Sequence, residues 1–175
     1  MSLKSIKCRY QYHNYFNSMN NNRFNSCEQW KSKGRRLYKQ NNLKEALKCY
    51  SEAIKLKPKD VVSYIKKGNI LRKLDRDLEA IVCYHEAIEL KPDEFKAHYK
   101  MGITLEDLDL TEEAIACYDE AIKVNPTHFE VYLKKGSAHD DIGKYNEAIE
   151  CYDEAIKITP IGLEFTIWKG CFWEK

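Results

Sequence analysis

The sequence predicts an all-α fold, a solenoid of antiparallel helix pairs, and three observations carry that reading. All four prolines (Pro58, Pro92, Pro126, Pro160) and five of the seven glycines (Gly34, Gly68, Gly102, Gly136, Gly170) fall on one 34-residue grid. Ala46, Ala80, Ala114 and Ala148 keep the same step, as do Tyr50, Tyr84, Tyr118 and Tyr152, and Ala53, Ala87, Ala121 and Ala155. Within each period the apolar residues recur at helical spacing. A fixed period of this length marks a stacked repeat, which moves the search for function from a catalytic pocket to an extended surface.

The chain opens on a basic tail, residues 1–26. It carries Lys4, Lys7, Arg9 and Arg23 and no acid, so a net charge of +2 leaves about −2 on the remainder. Six asparagines (Asn14, Asn17, Asn20, Asn21, Asn22, Asn25) and no sustained period make it read as disordered. It lacks the apolar core of a secretory signal, and arginine and serine are few for a mitochondrial leader. No run approaches the roughly 18 apolar residues of a membrane span. A cytoplasmic protein is the expectation.

The repeat is clearest from Val61 to Glu94. Tyr64, Ile65, Gly68, Leu71 and Leu74 share one helical face, and Ala80, Ile81, Tyr84, Ala87 and Ile88 share another. Asp75-Arg76-Asp77 forms the turn between them, and Pro92, lacking an N–H, ends the second helix. Glycine inside a helix costs about 1 kcal/mol relative to alanine. Gly68 is therefore expected where the two helices approach, facing Ala80, with Tyr84 filling the gap and Ala87 admitting the next unit. Four such units fit, at 27–60, 61–94, 95–128 and 129–162.

A glycine in the first helix, then alanine, an aromatic residue, alanine and proline at this period resembles the tetratricopeptide repeat (TPR) family. The likeness covers about four fifths of the chain. It implies a right-handed TPR α-solenoid of four full repeats, with residues 163–175 matching the first helix of a fifth. Departures are small. His98 stands where the other repeats have Trp30, Tyr64 and Tyr132, and Lys33, Lys67, Met101 and Lys135 precede the glycines where leucine is usual.

The resemblance also implies a concave groove lined by the first helices. The positions that face it are Glu28, Lys31, Arg35, Tyr38 and Lys39 in the first repeat, and Val62, Ile65, Asn69, Arg72 and Lys73 in the second. In the third they are Lys96, Tyr99, Ile103, Glu106 and Asp107, and in the fourth Glu130, Leu133, Ser137, Asp140 and Asp141. The late positions turn from basic to acidic, so the groove should be bipolar and bind a matching peptide in one direction. Some chaperone-binding TPR domains hold a C-terminal carboxylate in a clamp of two lysines, two asparagines and an arginine. Here Lys31 and Lys96 match the lysines, Lys100 takes the arginine place, and Arg35 and Lys66 take the asparagine places. The charge is right, but lysine does not reproduce a planar guanidinium fork.

Other chemistry finds no support. Cys49, Cys83, Cys117 and Cys151 lie on the grid, but there is no C-x-x-C pair. Their neighbours in adjacent repeats should be at least a helix spacing apart, so buried reduced thiols are expected rather than a metal or redox ladder. Asp119, Glu120, Asp153 and Glu154 sit opposite the apolar stripe, where Glu120–Lys123 and Glu154–Lys157 make ordinary surface pairs. The histidines (His13, His85, His98, His128, His139) are scattered, and no metalloprotease, triad or phosphate-loop motif occurs. The reading is a non-enzyme with no cofactor and no metal. The acidic half of the groove argues against nucleic acid, and nothing argues for a membrane.

The function expected is that of a protein-binding adaptor or scaffold. The alternatives are a chaperone cofactor with a degenerate clamp and the TPR arm of a larger enzyme. The final segment adds an apolar face of Phe165, Ile167, Trp168, Phe172 and Trp173. Continuation of the chain, or pairing of this face with a second copy or the tail, is favoured over burial against the fourth repeat.

Overall fold

The computed structural model describes residues 26–159. Among them are eight α-helices and no strand. They are α1 (26–39), α2 (Leu43–Leu56), α3 (Val61–Arg72), α4 (Asp77–Leu90), α5 (Phe95–Glu106), α6 (Thr111–Val124), α7 (Phe129–Asp141) and α8 (Tyr145–Ile158). The largest interfaces are α3 with α4, α5 with α6 and α7 with α8, and smaller ones join α2 to α3, α4 to α5 and α6 to α7. The described residues thus form a row of hairpins, each packed on the next, the fold that the sequence predicts.

The first helix of every hairpin ends in the same way. The N–H groups of Asn42, Arg76, Leu110 and Lys144 reach back to the carbonyls of Leu37, Leu71, Leu105 and His139 at 2.8–3.0 Å. The preceding residues, Asn41, Asp75, Asp109 and Gly143, take left-handed φ values of 55–76°. This is a Schellman closure, and it selects asparagine, aspartate or glycine at the left-handed place. The second helices stop differently. Lys57, Lys91 and Asn125 adopt φ of −134°, −150° and −139°, the extended backbone that a following proline demands.

Packing follows from residue size. The grid alanines of the second helices are buried, and each grid tyrosine lies over the glycine of its own hairpin. A Cβ on Gly68 would sit 2.6 Å from Tyr84 Cε1, and one on Gly102 at 2.6 Å from Tyr118 Cε1. This corrects the expectation that Gly68 faces Ala80. The glycine is a socket for an aromatic ring, while Ala80 belongs to the cluster of Ile65, Leu71, Cys83, Tyr84, Ala87 and Ala97.

The seam between hairpins uses a second set. Ala97 joins the α4 cluster, Val131 and Ala138 join the α6 cluster, and Ile70 packs with Ala46 and Tyr50 of α2. The third and tenth residues of a first helix therefore meet the second helix before it. His98 substitutes for its aromatic counterparts by pairing Nε2 with the Pro92 carbonyl at 2.7 Å, as the Tyr132 hydroxyl donates to the Pro126 carbonyl at 3.2 Å. Both tie a first helix to the loop preceding it.

Candidate peptide-binding groove

The face presented by α1, α3, α5 and α7 is stitched by charge. Lys31 reaches Glu28 at 2.9 Å and Asp60 at 3.3 Å. Asp60 is buried at the start of α3, where its carboxylate also accepts from the Ser63 N–H at 3.1 Å and from the Ser63 hydroxyl. Arg72 crosses from α3 to Asp107 at 2.7 Å, and Lys134 crosses from α7 to Glu106 at 3.1 Å. These bridges join successive hairpins along the groove.

The core tyrosines also reach this face. The Tyr84 hydroxyl donates to Asn69 Oδ1 at 2.9 Å, and the Tyr118 hydroxyl donates to Glu106 Oε2. Burial first, and then the Glu106 carboxylate, push the Tyr118 phenol far above its ordinary range. Of the groove positions read from the sequence, Lys31, Asn69, Arg72, Glu106 and Asp107 are thus already engaged within the protein.

Other positions are open. Arg35, Lys39, Lys66, Lys73 and Lys96 are exposed, as are Asp140 and Asp141 at the opposite end. Lys73 Nζ lies 4.7 Å from the centre of the Tyr38 ring. Tyr99 forms an aromatic wall with Phe95 and His128, the Phe95 ring being 5.9 Å from Tyr99 and 4.5 Å from His128.

Lys100 differs from the other cations. It is half-buried, its Nζ lies 5.2 Å from the centre of the Tyr99 ring, and no carboxylate among the described residues pairs with it. Burial chiefly, and then the positive charges of Arg72 and Lys66, hold its pKa below the usual lysine value. Lys31 shows the opposite balance. Burial disfavours its charge, but hydrogen bonding to Glu28 and the Asp60 carboxylate outweigh that and raise its pKa. Arg72 Nε is likewise buried without an acceptor. Lys66, Arg72 and Lys100 therefore make a basic seat whose charge is only partly met from within.

Sequence reasoning found these three residues but missed Asp60, Lys134 and the partnership of Phe95 with His128. Asp60 had a local signal, an acidic residue three positions before Ser63 at a helix start. The apolar contact residues Phe165, Trp168, Phe172 and Trp173 lie outside the described residues, as does the N-terminal tail. The grid cysteines and Cys27 are free and buried, and burial with nearby Glu120 lifts the Cys117 thiol to about 11. Glu120–Lys123 and Glu154–Lys157 are surface pairs at 2.5 and 2.6 Å, as read. Asp119 instead bridges α6 to α7 by meeting Lys135 at 2.6 Å, so its surface is not simply solvated. No described helix is long and apolar enough to cross a membrane, and no three His, Cys, Asp or Glu residues among those described are grouped to hold a metal ion.

A row of helical hairpins with a polar, charge-patterned inner face is a repeat module that presents a binding surface. Residues 34–75 and 68–109 match the family described as TPR repeat, and residues 95–128 and 129–161 match tetratricopeptide repeat. The chain belongs to the tetratricopeptide repeat family, and this fold supports a role in protein–protein interaction. Among curated proteins, none matches the chain in sequence. Solved structures share the fold at low identity. MamA 41-end from Desulfovibrio magneticus RS-1 is 19% identical with a TM-score of 0.73, covering 80% of this chain and 79% of that one. The first TPR of Spaghetti (RPAP3), bound to the HSP90 peptide SRMEEVD, is 22% identical with a TM-score of 0.66, covering 68% and 94%. The Arabidopsis OM64 TPR domain is 23% identical with a TM-score of 0.66, covering 68% and 98%.

Proposed function

We propose that this protein is a non-catalytic adaptor that holds an acidic peptide segment along its first helices, with the acidic end seated at Lys66, Arg72 and Lys100. The observation carrying this is Lys100, a half-buried cation with two cationic neighbours and no carboxylate partner among the described residues. Such a group is destabilised by its own surroundings, and an incoming carboxylate relieves both the burial and the repulsion. Exposed Lys96 and Lys73 flank the seat, and Asp140 and Asp141 at the far end set the direction of the peptide. Lys31, held by two carboxylates, contributes structure rather than recognition.

A second reading, a chaperone cofactor that requires a free C-terminal carboxylate, draws support from the acidic peptide bound by the RPAP3 domain. One experiment addresses both. Fluorescence anisotropy is measured with labelled SRMEEVD, its C-terminally amidated form and a peptide with its acids replaced by glutamine. The adaptor reading expects both acidic peptides to bind, salt to weaken them, and Lys66→Ala/Lys100→Ala to cost at least about tenfold. Loss on amidation alone selects the chaperone-tail reading. Binding of the glutamine peptide as tightly as the acidic ones, or no change in the double variant, overturns the seat.

A further inference from the structure

The last described helix carries an apolar face that its counterparts cover. Ile149 is 57% exposed, whereas Leu47, Ile81 and Ile115, three, two and one periods back, are each partly buried. Ile156 is 40% exposed against partly buried Ile54, Ile88 and Ile122, and Tyr152 is less covered than the buried Tyr50, Tyr84 and Tyr118. In the earlier hairpins the covering is supplied by the next first helix, through its third and tenth residues. Ala97, Val131, Ile70 and Ala138 do this, and Ser63 and Thr104 at the same places are fully buried.

We propose that residues 163–175, which lie outside the described residues, seat on this face of α8 as a fifth first helix, with Phe165 and Phe172 as the docking side chains. The register commits the assignment. One period beyond Val131 is Phe165, beyond Ala138 is Phe172, and beyond Gly136 is Gly170. Each falls at a place that is buried in all three of α3, α5 and α7. The aromatic side chains are larger than the residues they succeed and match an apolar face still exposed. Trp168 and Trp173 fall in different places. Trp168 succeeds Lys66, Lys100 and Lys134, which lie on the groove face. Trp173 succeeds Leu71, Leu105 and His139, and the two leucines belong to clusters built mainly on the second helix of their own hairpin. The aromatic cluster of the segment thus divides, with the phenylalanines turned inward to α8 and the tryptophans away from it. The competing occupant is a second copy of the chain.

Amide hydrogen exchange on the full chain tests this, run at two concentrations about thirtyfold apart with sedimentation velocity on the same samples. Phe165→Ala/Phe172→Ala is expected to speed exchange in α8 by at least about tenfold while leaving α3 to α6 unchanged, which serves as the internal control for folding. Ile149→Gln/Ile156→Gln should do the same and add nothing when combined with the phenylalanine pair. Trp168→Ala/Trp173→Ala should leave α8 within about threefold. No effect of the phenylalanine pair, or an equal effect of the tryptophan pair, overturns the assignment. So does protection of α8 that fades on dilution as a dimer dissociates, which gives the face to a second copy.

Discussion

Replacing Gly102 with alanine puts a methyl group into the ring of Tyr118. The added Cβ would lie 2.6 Å from Cε1, 2.8 Å from Cδ1 and 3.1 Å from Cζ. Carbon atoms settle at about 3.5–4.0 Å, so the ring must retreat by roughly 1 Å. It has little freedom to do so, being fully buried and held at its far end by Glu106. Overpacking of this kind costs about 1–3 kcal/mol, and exchanging a mid-helix glycine for alanine returns about 1 kcal/mol of helix propensity. A net loss of up to about 2 kcal/mol is expected, read as a lowered urea midpoint at unchanged slope by circular dichroism at 222 nm. Gly34→Ala should cost less, because its nearest ring atom is 2.9 Å away. Gly102→Ala/Tyr118→Leu should be less damaging than the sum of its parts, since leucine vacates the space. A Gly102→Ala variant more stable than the parent by about 1 kcal/mol, as at an open helix position, would refute the socket.

Two further outcomes follow from the turns and the buried histidine. Gly143 has left-handed φ of 76° and open space where a Cβ would go, so Gly143→Ala should lower stability by about 1–2 kcal/mol through the backbone alone. Gly143→Asn should cost much less, and Asp109→Gly should be neutral or stabilising in the same urea assay. His139 is buried with Nδ1 unpartnered, and burial, followed by the charge of Lys135, holds its pKa below the ordinary 6.5, against the opposing pull of Glu147 and Asp119. The unfolded chain then binds the proton first, so its contribution to stability is complete above 6.5 and is lost as pH falls below it. His139→Leu, the residue at Leu71 and Leu105, should flatten that part of the pH profile; an unchanged slope would show that other groups produce it.

The helices were legible because glycine, alanine, tyrosine and proline each have a size or backbone reason to recur, and the grid displayed those reasons four times. The partner of Gly68 was misread for a physical reason. Small residues suggest that backbones meet, but a socket is as often cut for a large side chain, and the large residue at the matching period was Tyr84. The charges of the groove were legible as well, but their pairing was not. Lys31 and Asp60 are 29 residues apart, Arg72 and Asp107 are 35, and Lys134 and Glu106 are 28. Those pairings depend on how one hairpin leans on the next and on side-chain rotamers, neither of which periodicity encodes. The Schellman turns had a plain signal in Asn41, Asp75, Asp109 and Gly143, a sixth glycine that left the glycine grid to join a different one.

The tyrosine hydroxyls have a consequence for how this surface can change. The rings of Tyr84 and Tyr118 fill the sockets of their own hairpins, yet their oxygens emerge at Asn69 and Glu106 among the recognition positions. Those two residues answer to the interior as much as to any ligand, and a substitution there alters both at once. Arg35, Lys39, Lys66, Lys73, Lys96, Asp140 and Asp141 carry no such obligation. A new binding preference could be written at these seven positions while the interior stays as it is, which makes them the natural alphabet for redirecting the module to another peptide.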